Sequence, residues 1–308
     1  NEPPMIIGIL PTVDYAFKRL FGDPRHSAIL IHLLNALFEG QFQVDGVEIL
    51  TPILDKDFDD DKEAVLDLLV RDTNRRTYNL EMQTTVPTGL PSRLLYYLAS
   101  LYAGQLREGE PYRQLAPTIS VCFLGRSLLG QTSSFHTRFR FCSLEERLVF
   151  TDQMEVHLVE LPKYNGTKTD MPLARAKERW AYFLSHASEM TLGEIGQVLV
   201  EPAFVEAGGV LEMISQTEEE RLRYELRAKA IRDRLSDLDA ARMEGRAEGH
   251  SAGRTEGRTE GRTAGRAEGD CFARIRLFQE LLGETVSPLE YLDRMSLDQL
   301  EQMAESLE

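Results

Sequence analysis

Apolar residues recur at Val13, Phe17, Leu20 and Phe21 in the stretch TVDYAFKRLFG, which is the spacing of one helix face. Thr12 is placed to cap this helix and Gly22 to close it. The next stretch, SAILIHLLNALF at 27–38, is apolar on most faces and predicts a buried helix ended by Gly40. Strand-like material runs from Val47 to Leu54, where Pro52 marks an edge or a break. A hairpin follows, with one strand from Ala64 to Val70, a polar turn RDTNRR, and a second strand from Thr77 to Gln83. Residues Pro91 to Leu106 read as a helix, with proline tolerated in its first turn. TISVCFL, residues 118–124, is a continuous apolar run after a helix and predicts a buried central strand. Further strands are expected at Phe135 to Phe141 and Val156 to Leu161. Helices are expected at Pro172 to Ser188 and Thr191 to Leu199.

The pattern changes after Ser215. TEEERLRYELRAKAIRDRLSDLDAARMEGRAEG is dense in charge and helix formers, and it runs into a four-residue repeat with glycine at 245, 249, 253, 257, 261, 265 and 269. Each glycine costs an isolated helix about 1 kcal/mol relative to alanine. The repeat also lacks the i, i+4 ion pairs that steady a lone helix, because Arg254, Arg258, Arg262 and Arg266 fall on one ridge and Glu256 and Glu260 on another. Such ridges are neutralised best by those of another chain, so self-association is preferred over a flexible linker. An arginine ridge on DNA is a third reading, weakened by the interleaved glutamates. We therefore expect a globular domain at 1–215, a charged helical segment with Gly-Arg-x-Glu repeats at 216–269, and a small helical C-terminal module at 270–308.

Composition narrows the classes. The chain has 308 residues, 42% hydrophobic and 28% charged, enough for one or two domains with a real core. No apolar run approaches a membrane span and no secretory leader pattern is visible, so a cytoplasmic protein without a membrane partner is expected. The three cysteines, Cys122, Cys142 and Cys271, are widely spaced and read as reduced thiols. No paired-cysteine zinc motif occurs, and no GxxxxGK[ST] loop supports nucleotide hydrolysis. A net charge of −15 argues against nucleic-acid binding through a general basic surface. Contact with DNA would need a local basic surface, or divalent cations between phosphate and carboxylate.

Carboxylates inside the predicted hairpin are the candidate chemistry. Side chains two apart on a strand share a face, so Glu81 and Gln83 point together while Leu80 and Met82 point away. Asp67 lies on the neighbouring strand, where a short turn brings it level with Glu81. Two carboxylates held that close repel, and a divalent cation removes the conflict. Mg²⁺ suits one or two carboxylates, waters and a substrate phosphate. Mg²⁺ is the expected cofactor, with Mn²⁺ as a substitute.

These residues resemble a known family. The order helix, strand with Asp, strand with Glu-x-Gln, helix, strand is similar to the PD-(D/E)XK nuclease superfamily. DYAFKRLFG at 14–22, KEAVLDLLVRD at 62–72, YNLEMQ at 78–83, SRLLYYLASLYAGQL at 92–106, YRQLAPTISVCFLG at 112–125 and ELPKY at 160–164 look like its recombination-promoting nuclease / putative transposase family. The resemblance implies an α/β restriction-endonuclease-like core, a mixed central sheet flanked by helices, with a helical C-terminal tail. It implies metal-dependent DNA cleavage, with Asp67 and Glu81 holding the metal and Gln83 in place of the superfamily lysine. Asp14 is implied as a further metal or supporting ligand, and Lys18 or Lys62 as a source of the missing positive charge. Arg93 and Gln105 are candidate phosphate contacts.

Structural readings stand beside these. Asp67 and Glu81 could pair with Arg71, Arg75 or Arg93, leaving an inactive nuclease-fold scaffold that binds DNA or protein. Asp14 and Lys18 could form an i, i+4 pair on a solvated face. Tyr96, Tyr97 and Tyr102 are expected to pack on the sheet, and Asp59, Asp60 and Asp61 to form a solvated turn.

Overall fold

The computed structural model describes residues 5–50 and 68–308. The chain divides into two compact units, Asn1–Leu235 and Ser236–Glu308.

In the first unit, helices α1 (Asp14–Phe21) and α2 (Ser27–Leu37) precede strands β1 (Val47–Ile49), β2 (Leu68–Asp72) and β3 (Thr77–Gln83). Helix α3 (Leu90–Ala103) leads to β4 (Thr118–Leu124), β5 (His136–Cys142) and β6 (Val149–Glu160). Helices α4 (Ala176–His186), α5 (Leu192–Leu199) and α6 (Pro202–Gln216) follow, then the start of α7 (Glu218–Leu282). The described strands form one mixed sheet in the order β1-β2-β3-β4-β6-β5. The β3–β4 and β4–β6 pairs are parallel, and the other three are antiparallel. The restriction-endonuclease-like class, a mixed sheet flanked by helices, is thus the observed architecture.

The two sheet faces differ in chemistry. Tyr78, Leu80, Ile119, Val121, Phe123 and Val159 join the main core with α1, α2, α4 and α6. On the other face, Leu90 and Leu94 of α3 pack on Cys122, Leu124 and Leu158. Beside that small apolar patch the buried residues of β3 and β4 are polar: Thr77, Asn79, Glu81, Thr118 and Ser120. The paired registers Thr77–Thr118, Asn79–Ser120 and Glu81–Cys122 set them in adjacent rows.

Several local expectations shift. Val13 is the N-cap of α1 and no side chain caps it, so Thr12 does not fill that role. Tyr96 is 68% exposed, because the sheet-facing stripe of α3 is Leu90, Leu94 and Leu98. Strand β6 starts well before Val156. Helix α6 lies in a stretch, 200–215, for which the sequence pattern gave no element. Pro202 opens the helix, and a Cβ on Gly208 would lie 2.8 Å from Leu192 Cδ1, so glycine there permits close packing of α5 on α6. The strand expected from Val47 to Leu54 is described as far as β1, and the expectations for Asp59, Asp60 and Asp61 lie outside the described residues.

The first turns of α7 belong to the first unit. Tyr224 Oη accepts the Leu10 N–H at 2.9 Å, and Glu220 accepts from Tyr15 Oη at 2.6 Å and Arg19 Nε at 2.9 Å. In the second unit α7 runs helically through the glycine repeat to Leu282. Its end packs with α8 (Leu289–Leu292) and α9 (Leu297–Leu307) through Cys271, Ile275, Leu292, Leu300 and Ala304. Ser296 caps α9 and Gln299 completes the capping box. No helix among the described residues is long and apolar enough to cross a membrane.

Candidate functional site

Glu81 sits near the end of β3, 1% exposed, on the sheet face covered by α3. A charged group there needs partners. Gln83 Nε2 donates to Glu81 Oε2 at 3.2 Å, and Arg93 Nη2 donates to the same oxygen at 3.3 Å. Asn79 Nδ2 donates to Oε1 at 3.4 Å. Period-two alternation places Asn79, Glu81 and Gln83 on one face. The Leu90 and Leu94 contacts hold α3 above them, so that Arg93 reaches down.

All three contacts are long for a charge-assisted pair, which ordinarily lies near 2.7–2.9 Å. The chain supplies its own comparison. The other buried carboxylates among the described residues are Asp23, Asp72, Glu155 and Glu160. Asp23 accepts from Arg25 Nε at 2.9 Å. Asp72 accepts from Arg76 N and Tyr78 Oη at 2.9 Å and from Arg76 Nη1 at 3.0 Å. Glu155 accepts from Arg138 Nε at 2.8 Å, and a second arm of the same guanidinium completes the fork. Glu160 accepts from Lys163 Nζ and Leu128 N at 2.6 Å. Glu81 alone in this set has no hydrogen bond below 3.2 Å from the described residues. Beside it, Arg93 Nε and Asn79 Oδ1 are buried without a hydrogen-bond partner among the described residues.

The remaining sequence candidates are distributed as follows. Asp67 and Lys62 lie outside the described residues. Leu68, the first described residue of β2, stands opposite Leu80 in the antiparallel register. Asp14 opens α1, whose Phe17 ring packs 5.5 Å from that of Phe123 on the face away from α3. Its Oδ1 is buried without a hydrogen-bond partner among the described residues. Burial pushes its carboxyl above the usual range, while the charges of Arg227 and Lys18 pull it down. Gln105 holds the far end of α3: its Nε2 donates to Ala116 O and Thr118 Oγ1 at 2.9 Å, and its Oε1 accepts Ala116 N–H at 2.9 Å. The structure therefore brings Glu81, Gln83 and Arg93 together and sets Gln105 apart. It adds Asn79, whose only sequence signal was its place two residues before Glu81. Among the described residues no three His, Cys, Asp or Glu side chains converge as a metal cluster.

A family profile, PD-(D/E)XK nuclease family transposase, matches residues 11–241. The chain belongs to that family. The match spans the whole sheet, the α3 face and the first turns of α7. Members are nucleases, enzymes whose substrate class is DNA. No curated protein and no solved structure matches the chain. Nucleases of this kind generally use divalent metal ions. The long contacts of the Glu81 carboxylate and the orphaned Asn79 Oδ1 beside it offer oxygen atoms of the kind a divalent cation takes.

Proposed function

We propose that the protein is a Mg²⁺-dependent DNA endonuclease whose cation is held by Asp67 and Glu81, with Mn²⁺ accepted in its place. The observation that carries this reading is the buried Glu81 carboxylate, which among the described residues has no hydrogen bond shorter than 3.2 Å. A divalent ion bound there would polarise the phosphodiester and acidify a bound water. Asn79 and Gln83 aim the carboxylate through their amides. Gln83 also has the hydrogen-bonding capacity to orient the attacking water, though as a neutral amide it cannot stabilise hydroxide by charge. Asp14, with its orphaned Oδ1, is a further ligand or support in this reading, and Lys18 or Lys62 supplies the positive charge absent at Gln83.

The biological role we infer is DNA cleavage that promotes recombination, in keeping with the transposase name of the family. We also propose that the tail joins copies of the chain. In support, a Cβ at Gly245, Gly249, Gly253, Gly257, Gly261, Gly265 or Gly269 would meet no atom within 4 Å, so nothing among the described residues requires glycine there. Joined copies would bring two sites to two DNA strands.

A second reading, a nuclease-fold scaffold without cleavage, draws on the net charge of −15, which opposes DNA contact. Supercoiled plasmid incubated with Mg²⁺, Mn²⁺ or Ca²⁺ separates the two. Nicking that needs Mg²⁺ or Mn²⁺ and is lost in both Asp67→Ala and Glu81→Ala supports the nuclease. A folded wild type that never cuts, and whose melting temperature ignores the metals, supports the scaffold.

A further inference from the structure

Arg93 makes an incomplete ion pair. Only its Nη2 reaches Glu81, at 3.3 Å, while its Nε is buried with no partner among the described residues. A guanidinium that serves a carboxylate for stability closes a fork, as Arg138 does on Glu155 with Nε and Nη2. The two side chains also differ in access: Arg93 is 37% exposed and Glu81 2%. The arginine thus stands on the solvent side of a buried anion. Its backbone is held by the neighbouring Leu94, which packs on the sheet, while its head is held to Glu81 by one 3.3 Å contact.

We propose that Arg93 is the placeholder for the cation at Glu81 and a positioning residue for DNA. In the metal-free protein its guanidinium supplies the countercharge. When a divalent cation takes the carboxylate, repulsion drives the guanidinium off, and the donors freed, with the already orphaned Nε, grip a phosphodiester oxygen. This rests on the metal-nuclease reading above and adds an order to it: metal entry and DNA grip are coupled through one side chain. A protein of net charge −15 would then present a cation to DNA at this point chiefly when loaded with metal.

The test uses the full chain. Mn²⁺ binding is measured by titration calorimetry, and binding of a fluorescent duplex by anisotropy in Ca²⁺, for wild type, Arg93→Met, Arg93→Lys and Glu81→Gln. Removing the competitor in Arg93→Met is expected to tighten Mn²⁺ binding about fivefold or more, a typical coupling size. The same variant is expected to weaken duplex binding about tenfold, the loss of one charged hydrogen bond. Arg93→Lys should recover much of the duplex binding, which a merely structural role would not predict. Thermal melts confirm that each variant folds. If Mn²⁺ binds wild type and Arg93→Met equally, or Arg93→Met more weakly, while Glu81→Gln abolishes binding, the placeholder is overturned and the metal site stands. If Mn²⁺ binds neither wild type nor Arg93→Met, both fall.

Discussion

Gln83 and Glu81, two residues apart on the α3 face of β3, are joined by a 3.2 Å hydrogen bond from Nε2 to Oε2. That bond spends one amide hydrogen on aiming the carboxylate and leaves the other hydrogen and the amide oxygen for a water. Gln83→Leu removes both functions. We expect kcat for plasmid nicking to fall about 10²-fold, in the range of a misplaced reacting group, with little change in KM. Gln83→Lys should keep or raise the rate, since it restores a positive charge at that position. A fall in KM-controlled binding with unchanged kcat would overturn the role.

Stability should reveal which carboxylates are structural. Tyr78 Oη donates to the buried Asp72 at 2.9 Å, and burial, with the Asp72 charge, pushes the phenol far above its usual range. Tyr78→Phe keeps the ring and deletes one of three strong donors. It should cost about 1–2 kcal/mol in urea unfolding. Glu81→Gln, by contrast, removes a loosely held charge and should leave the unfolding midpoint of the metal-free protein nearly unchanged or raise it.

Acid sensitivity should start at mildly acidic pH. His136 Nε2 lies 2.9 Å from His157 Nδ1, and His157 Nε2 lies 3.1 Å from Glu155. Burial, then the charges of His157, Lys177 and Arg138, hold His136 down at about 3. Burial also lowers His157, against the pull of Glu155. The unfolded chain binds these protons near pH 6.5 and the folded one does not, so stability is complete above 6.5 and falls as pH drops toward 3. Glu155 adds a lower window. Burial raises it, but the bonds from His157 and Arg138 prevail and hold it at about 2, so its contribution is lost between about pH 4.5 and 2. Urea midpoints at pH 8, 6.5 and 5 should decline, and His136→Asn should flatten that slope.

Helix α3 positions Arg93 through a small apolar patch. Leu94 is 2% exposed against Cys122, Leu124 and Leu158. Leu94→Ala should cost about 2–4 kcal/mol and lower cleavage more than Leu90-distant surface changes such as Tyr96→Ala, read by melting temperature and single-turnover rate.

The glycine repeat gives an opposed pair of outcomes. In an isolated chain, Gly253→Ala, Gly257→Ala and Gly261→Ala each fill open space and should stabilise the helix by up to about 1 kcal/mol. If copies pack on the glycines, the triple variant should gain helicity by circular dichroism while losing mass in sedimentation. Unchanged mass would remove the glycines from the contact.

Much of the architecture was written locally. TISVCFL became β4 over Thr118–Leu124, and the second hairpin strand became β3 over Thr77–Gln83, each with the expected bounds, because an apolar run and a period of two are properties of neighbours in sequence. The same alternation put Glu81 and Gln83 on one face. Three arginines were open as partners for Glu81, and only the assembled sheet chose among them. Arg71 turns to Glu48 at 4.0 Å, Arg75 donates to Gln114 O at 3.4 Å, and Arg93 crosses from α3. That choice depends on where Leu90 and Leu94 seat a helix, a contact no local pattern encodes. Gly208 shows the same limit: the reason it lacks a side chain is visible only once α5 lies against it. Element type followed from the sequence because propensity and periodicity act over a few residues. The looseness of Glu81, and the arginine that stands in front of it, followed only from packing between elements far apart in the chain.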